Sequence, residues 1–181
     1  MVRRATCLAA ALAVMVLAAG CGYTTHSALP ADVKMIHIAP VKNGIDLTGP
    51  IDEKHPFHAY RPGLEVDVNN AVINRFVFDG TLKVVAQEKA DAVLQCTLVD
   101  YTRDPLRYSE SDEIQEYRLN VTIAISLVRV SDQKPIVPLT RLAGDTTFFL
   151  SGPRAITEDE ALSRAIDDLS RRVVEKVVEV W

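Results

Sequence analysis

Tyr117-Arg118-Leu119-Asn120-Val121-Thr122-Ile123-Ala124-Ile125-Ser126-Leu127 is the stretch whose reading decides the fold. Its large apolar side chains fall on every second residue, with Arg118, Asn120, Thr122, Ala124 and Ser126 between them. Side chains alternate across a strand, so one face of this segment is core and the other is small and polar. Such clean alternation means an antiparallel sheet whose second face meets water or a hydrophilic partner.

On the N-terminal side, Asp91 to Arg103 reads as another strand, with Leu94, Cys96 and Leu98 facing one way and Val93, Gln95, Thr97 and Val99 the other. Between the two, Tyr101 to Asp112 contains Pro105 and mixed charges, and is expected to form a projecting hairpin tip. On the C-terminal side, Ser131-Asp132-Gln133-Lys134 turns the chain into a last strand from about Leu139 to Leu150, in which Gly144 marks a bulge or a close approach. Thr81 to Gln87 alternates through Leu82, Val84 and Ala86. Val33 to Val41 alternates through Ile36 and Ile38, with Met35 and His37 opposite. Pro40 points to an edge position or a bulged end for that first strand, and His37 reads as a solvated or packed strand residue.

Two segments change period. Leu64, Val68, Val72 and Phe76 recur every four residues from Leu64 to Phe78, and Asp79-Gly80 stops the run. Its polar residues, Glu65, Asp67, Asn69, Asn70, Asn74 and Arg75, are not rich in Lys and Arg as a lipid-sensing face would be, so it is a helix laid on a sheet. The second helix has a readable start, because Thr157 followed by Glu160 is a capping box and Glu158 and Asp159 suit the positive helix N-terminus. Leu162, Ile166, Leu169, Val173, Val177 and Val180 then form one stripe. Strand, helix, four strands, helix predicts an α+β two-layer sandwich: a mostly antiparallel four- to five-stranded sheet with two amphipathic helices on one face.

The N-terminus sets the address. Arg3 and Arg4 precede an uncharged run from Ala5 to Gly20 that is too short and too alanine-rich for a membrane span, which needs about 20 apolar residues. It reads as a secretory signal peptide. Leu17-Ala18-Ala19-Gly20-Cys21 resembles the lipobox of bacterial lipoproteins, with Ala18 where a large aliphatic residue is usual and Leu17 one place further out. The resemblance makes Cys21 the acylated first residue of the mature chain, and three acyl chains at about 0.8 kcal/mol per buried methylene suffice for anchoring. Gly22, with no aspartate after the cysteine, fits the outer membrane, periplasmic side. Residues 21 to 32 then form the lipidated start and tether, and 33 to 181 one domain.

Cleavage leaves 181 − 20 = 161 residues and 20 − 2 = 18 basic against 24 acidic side chains, a net of about −6. No basic face interleaved with aromatics points to nucleic acid. Cys96 is the last unassigned cysteine, so no internal disulfide forms and it reads as a buried small hydrophobe. The loop from Lys42 to Pro62 carries His55 and His58, but two histidines do not complete a metal site. There is no phosphate loop, no Gly-x-Ser-x-Gly elbow and no His-Glu-x-x-His helix. The expectation is a non-enzyme without cofactor or metal.

Cys21-Gly22-Tyr23, the strand holding Ile36 and Ile38 up to Asn43, Leu64-Glu65, Ala90-Asp91-Ala92-Val93-Leu94, Glu116-Tyr117-Arg118-Leu119 and the helix with Ala161, Ala165, Ile166 and Leu169 follow one another in an order and spacing that resembles the LptE family of lipopolysaccharide-assembly lipoproteins. The resemblance covers nearly the whole mature chain, and the Lys42–Pro62 loop departs from it in length. It implies an outer-membrane lipoprotein that plugs and helps fold a large β-barrel of LptD type and assists delivery of lipopolysaccharide to the cell surface. A polar sheet face suits a hydrophilic barrel interior. For lipopolysaccharide contact, the tip residues Arg103, Arg107 and Tyr108 are the candidates, since anionic phosphates favour arginine and an acyl-rich ligand tolerates an aromatic. The other class of reading is an accessory subunit of a different envelope machine, a lipid transporter or a cell-wall synthase.

Overall fold

The computed structural model describes residues 29–30, 32–45 and 61–178. The strand-forming stretch that opens the argument is β5, Ile114–Arg129, and its six alternating apolar residues from Tyr117 to Leu127 are all buried. It pairs antiparallel on one side with β4, Ala92–Tyr108, and on the other with β6, Pro135–Phe149. These three long strands carry the sheet.

The remaining strands are short and run parallel to their neighbours. Strand β1, Met35–Ile38, lies between β3, Lys83–Val84, and β4, while β2, Lys42–Asn43, adds to β4 further along. Among the described residues the sheet therefore has six strands, in the order β3-β1-β4-β5-β6 with β2 beside β4. The parallel part follows from connectivity: helix α1, Leu64–Asp79, separates β1 from β3, and a crossover through a helix returns the chain in the same direction.

Four local expectations need correction. Strand β1 is interior rather than an edge, and it ends at Ile38, before Pro40. The segment Thr81–Gln87 forms only the two-residue β3 before a 3₁₀ turn at Gln87–Lys89, although Leu82 is buried as its alternation requires. Part of the expected loop after Val41 is strand β2. The supposed hairpin tip is largely strand: β4 continues through Pro105 to Tyr108, and the turn is confined to about Ser109–Glu113. Pairing with the strongly patterned β5 overrides the local breaker. Register shifts on both sides of Arg107 absorb the residue without an amide proton.

Both helices cover one face. Leu64, Val68, Val72 and Phe76 of α1 are fully buried, and Gly80 closes the helix with φ 73° while its N–H donates to the Phe76 carbonyl at 3.1 Å. Helix α2, Glu158–Val178, buries Leu162, Ile166, Leu169, Val173 and Val177. Val180 lies outside the described residues. At its start the Glu160 N–H donates to Thr157 Oγ1 at 3.1 Å, but the Glu160 carboxylate turns to Arg164 at 2.7 Å, so half of the capping box forms. Gly144 resolves as a close approach, not a bulge: it stays in register with Val121, and a methyl group there would run into the Ala165 carbonyl and Leu169 of α2.

Candidate functional site

The far end of the β4–β5–β6 sheet gathers the arginines. Tyr101 is buried at 2% exposure, and its hydroxyl donates to Glu158 Oε1 at 3.0 Å. Arg103 Nη1 donates to Glu158 Oε2 at 2.6 Å, and its guanidinium lies over the Tyr117 ring at 4.9 Å. One carboxylate at the start of α2 therefore ties down both β4 side chains. Burial, followed by the Glu158 bond, pushes the Tyr101 hydroxyl above its ordinary range. Of the sequence candidates, Arg103 is thus already engaged by the fold.

Arg107 is different. Its Nε stands 3.5 Å from Glu116 Oε2, in a looser pair, and its guanidinium lies 5.8 Å from the Phe149 ring centroid. Arg154, which sequence reading missed, approaches the same ring at 6.0 Å. Together with Ser151 and Pro153 they line a hollow of about 260 Å³. The only signal for Arg154 was its place after Ser151-Gly152-Pro153, which reads as a plain turn. Register in the sheet, with Glu116 opposite Phe149 and Arg107 opposite Glu116, is what brings the two arginines together. Tyr108, Leu106 and Leu150 are all exposed at this end, so the arginines have apolar neighbours.

The sheet face away from the helices carries cross-strand rows such as Thr97–Ala124–Arg141 and Asp104–Arg118–Thr147. Thr102, Asn120 and Asp104 form a polar ladder there, the Asn120 amide donating to Asp104 Oδ2 at 3.3 Å and reaching Thr102 Oγ1 at 3.5 Å. Small or hydrogen-bonding side chains dominate it. On the helix side, a larger groove of about 680 Å³ runs between α1 and α2.

Cys96 and His37 take the places the sequence reading gave them. Cys96 is buried, and desolvation pushes its thiol up to about 12, which leaves it without nucleophilic character. His37 Nδ1 lies 3.1 Å from the Val85 carbonyl as a packed strand residue. Cys21, His55 and His58 lie outside the described residues. Among the described residues no three His, Cys, Asp or Glu side chains gather as metal ligands, and no helix is long and apolar enough to cross a membrane.

A sheet covered by two helices on one face, with the other face open and polar, defines a two-layer α+β domain. The hypothetical protein CT253 from Chlamydia trachomatis shares the fold, with a TM-score of 0.53, 11% identity, and coverage of 80% of this chain and 95% of that one. So does a PelC dodecamer from Paraburkholderia phytofirmans, with a TM-score of 0.50, 14% identity and coverage of 84% and 95%. Uncharacterized lipoprotein B from Nitrosomonas europaea matches with a TM-score of 0.50, 18% identity and coverage of 83% and 84%. Among curated proteins, none matches the sequence. The chain belongs to the LptE family, lipopolysaccharide-assembly, whose family model matches residues 36–179.

Proposed function

We propose that this chain is an outer-membrane lipoprotein, anchored through Cys21 on the periplasmic side, that seats in the lumen of a large β-barrel of LptD type, assists its assembly and helps deliver lipopolysaccharide. The open face of the three long strands is the observation that carries the reading. A barrel lumen is polar, and the polar and charged side chains of this face, among them Thr97, Asp104, Arg118, Asn120 and Arg141, match it.

Length adds to this. Asp32, among the first described residues, lies 3.6 Å from Arg129 at the C-terminal end of β5. The Arg107–Tyr108 end is the other end of that 16-residue strand, roughly 50 Å away at about 3.3 Å per residue. Asp32 and the arginine-bearing end thus stand at opposite ends of the long strands. In this reading the far end enters the lumen and meets lipopolysaccharide through Arg107 and Tyr108, with Arg154 beside them and Arg103 behind.

The test is to express the full chain with its own signal in its host, extract outer membranes in mild detergent, and identify what a C-terminal tag brings down. A large heat-modifiable β-barrel in near one-to-one amount is the expected result. Recovery of an inner-membrane transporter or a cell-wall enzyme in its place would overturn the reading. Lipopolysaccharide binding by an Arg107→Ala, Arg154→Ala variant equal to that of the unaltered chain would remove the tip from it.

A further inference from the structure

At the Asp32 end of the sheet, four strands meet in one rim. The Lys34 N–H donates to Asp91 Oδ2 at 3.0 Å, the Lys83 N–H to the Lys34 carbonyl at 2.9 Å, and the Val130 N–H to the Asp91 carbonyl at 2.8 Å. The starts of β1, β3 and β4 and the end of β5 are therefore side by side. Helix α1 runs back to this rim, since its last residue, Asp79, precedes the β3 start at Lys83 by four positions. Its closing turn leaves Val77 65% and Phe78 81% exposed, and Val130 is 41% exposed on the rim itself. Exposed apolar groups of this size forfeit burial that normally stabilises a fold. Arg75 lies over the Phe78 ring at 5.4 Å, which sets a cation against the aromatic. Lys34 and Lys83 are exposed, and among the described residues neither takes part in a salt bridge. The carboxylates of the rim are engaged by the fold: Asp91 accepts the amides of Lys34 and Met35, Asp79 accepts that of Thr81, and Asp132 lies 3.7 Å from Arg129. Glu88 and Lys89 on the neighbouring 3₁₀ turn offset each other.

The length of chain ahead of the rim selects what covers it. Leu29 packs against the core, so the link from Cys21 is 29 − 21 = 8 residues, which span at most about 29 Å. An acylated Cys21 therefore holds the Asp32 end close to the bilayer, whereas the arginine end lies roughly 50 Å further along β5. We propose that, in the anchored chain outside a barrel, the closing turn of α1 and this rim rest on the phospholipid surface. Val77 and Phe78 meet the apolar side of the headgroup layer, and Arg75, Lys34 and Lys83 meet the phosphates. The inference rests on the Cys21 anchor and not on the barrel. A barrel wall around the domain would part this rim from lipid, so the contact belongs to the chain before capture.

The test reconstitutes the full-length protein, expressed with its own signal, into vesicles of phosphatidylethanolamine and phosphatidylglycerol whose acyl chains carry bromine, a contact quencher. A fluorophore is attached through Thr81→Cys, beside the α1 turn, or through Ser151→Cys at the far end, and acylation of Cys21 is read by mass. Quenching from Thr81→Cys should exceed that from Ser151→Cys at least threefold. A Val77→Ala, Phe78→Ala double variant should lower it at least threefold, while Arg107→Ala leaves it unchanged. An acylated chain with equal quenching at both positions, or with quenching that the double variant does not alter, overturns the lipid contact and leaves the anchor standing. A chain without acyl groups on Cys21 overturns both.

Discussion

Among the described glycines, Gly144 is the one where an added methyl group would meet the nearest atoms. The edge strand β6 and helix α2 touch there, and the space a side chain would need is filled by the Ala165 carbonyl and Leu169. Gly144→Ala should destabilise the domain by about 1–3 kcal/mol, the usual range for overpacking, with the backbone contact pushing toward the upper end. A lowered denaturation midpoint at unchanged slope would check it. Thr157→Ala removes the oxygen that accepts from the Glu160 amide and should cost about 1 kcal/mol. Cys96, with its thiol held up by burial, should resist alkylation at pH 8 in the folded protein and react once denaturant is added. Rapid labelling under native conditions would contradict the buried position.

At the scale of elements, charge ties α2 to the sheet at its start and near its middle. Partial burial works against ionising Asp168, but the Arg171 bond at 2.5 Å, the Asp145 N–H at 3.3 Å and the nearby Arg172 outweigh it and hold the carboxyl below its usual range. A depressed carboxyl stabilises the fold above its unfolded value, near pH 4, and that contribution is lost as pH falls through the lower folded value. Asp168→Asn should therefore flatten the acid limb of the stability profile below about pH 4. An unchanged acid limb would show that the pair carries no weight. At the start of α2, Glu158→Gln removes the charge and one of the two oxygens that accept from Tyr101 and Arg103, and should cost about 1–2 kcal/mol, since half-exposed charged hydrogen bonds sit at the low end of their range.

For the whole molecule, placement of Asp32 and of the arginine end near Tyr108 at opposite ends of the long strands gives an order of contact. If the domain enters a barrel lumen, crosslinking residues placed at Ser151 should reach barrel segments deep in the lumen. Those placed at Asp132 should reach periplasmic segments instead. The same partner segment captured from both positions would contradict an end-on insertion.

The six alternating residues of β5, the four-residue stripe of α1 and the capped stripe of α2 were all legible in the chain, because a period of two or of 3.6 in apolar side chains is a local signal of which face is buried. From them came the α+β class and the covered and uncovered sheet faces. Pairing and proximity were decided only in three dimensions. Pro105 lies inside a strand because a long partner held it there, and Gly144 meets Ala165 across a helix-to-sheet contact. Arg103 is engaged by Glu158, fifty-five positions away in sequence, while Arg107 and Arg154 meet over Phe149. Periodicity depends on neighbours a few residues apart, whereas ion pairs, hollows and close approaches depend on register between segments remote in sequence, which no local pattern records.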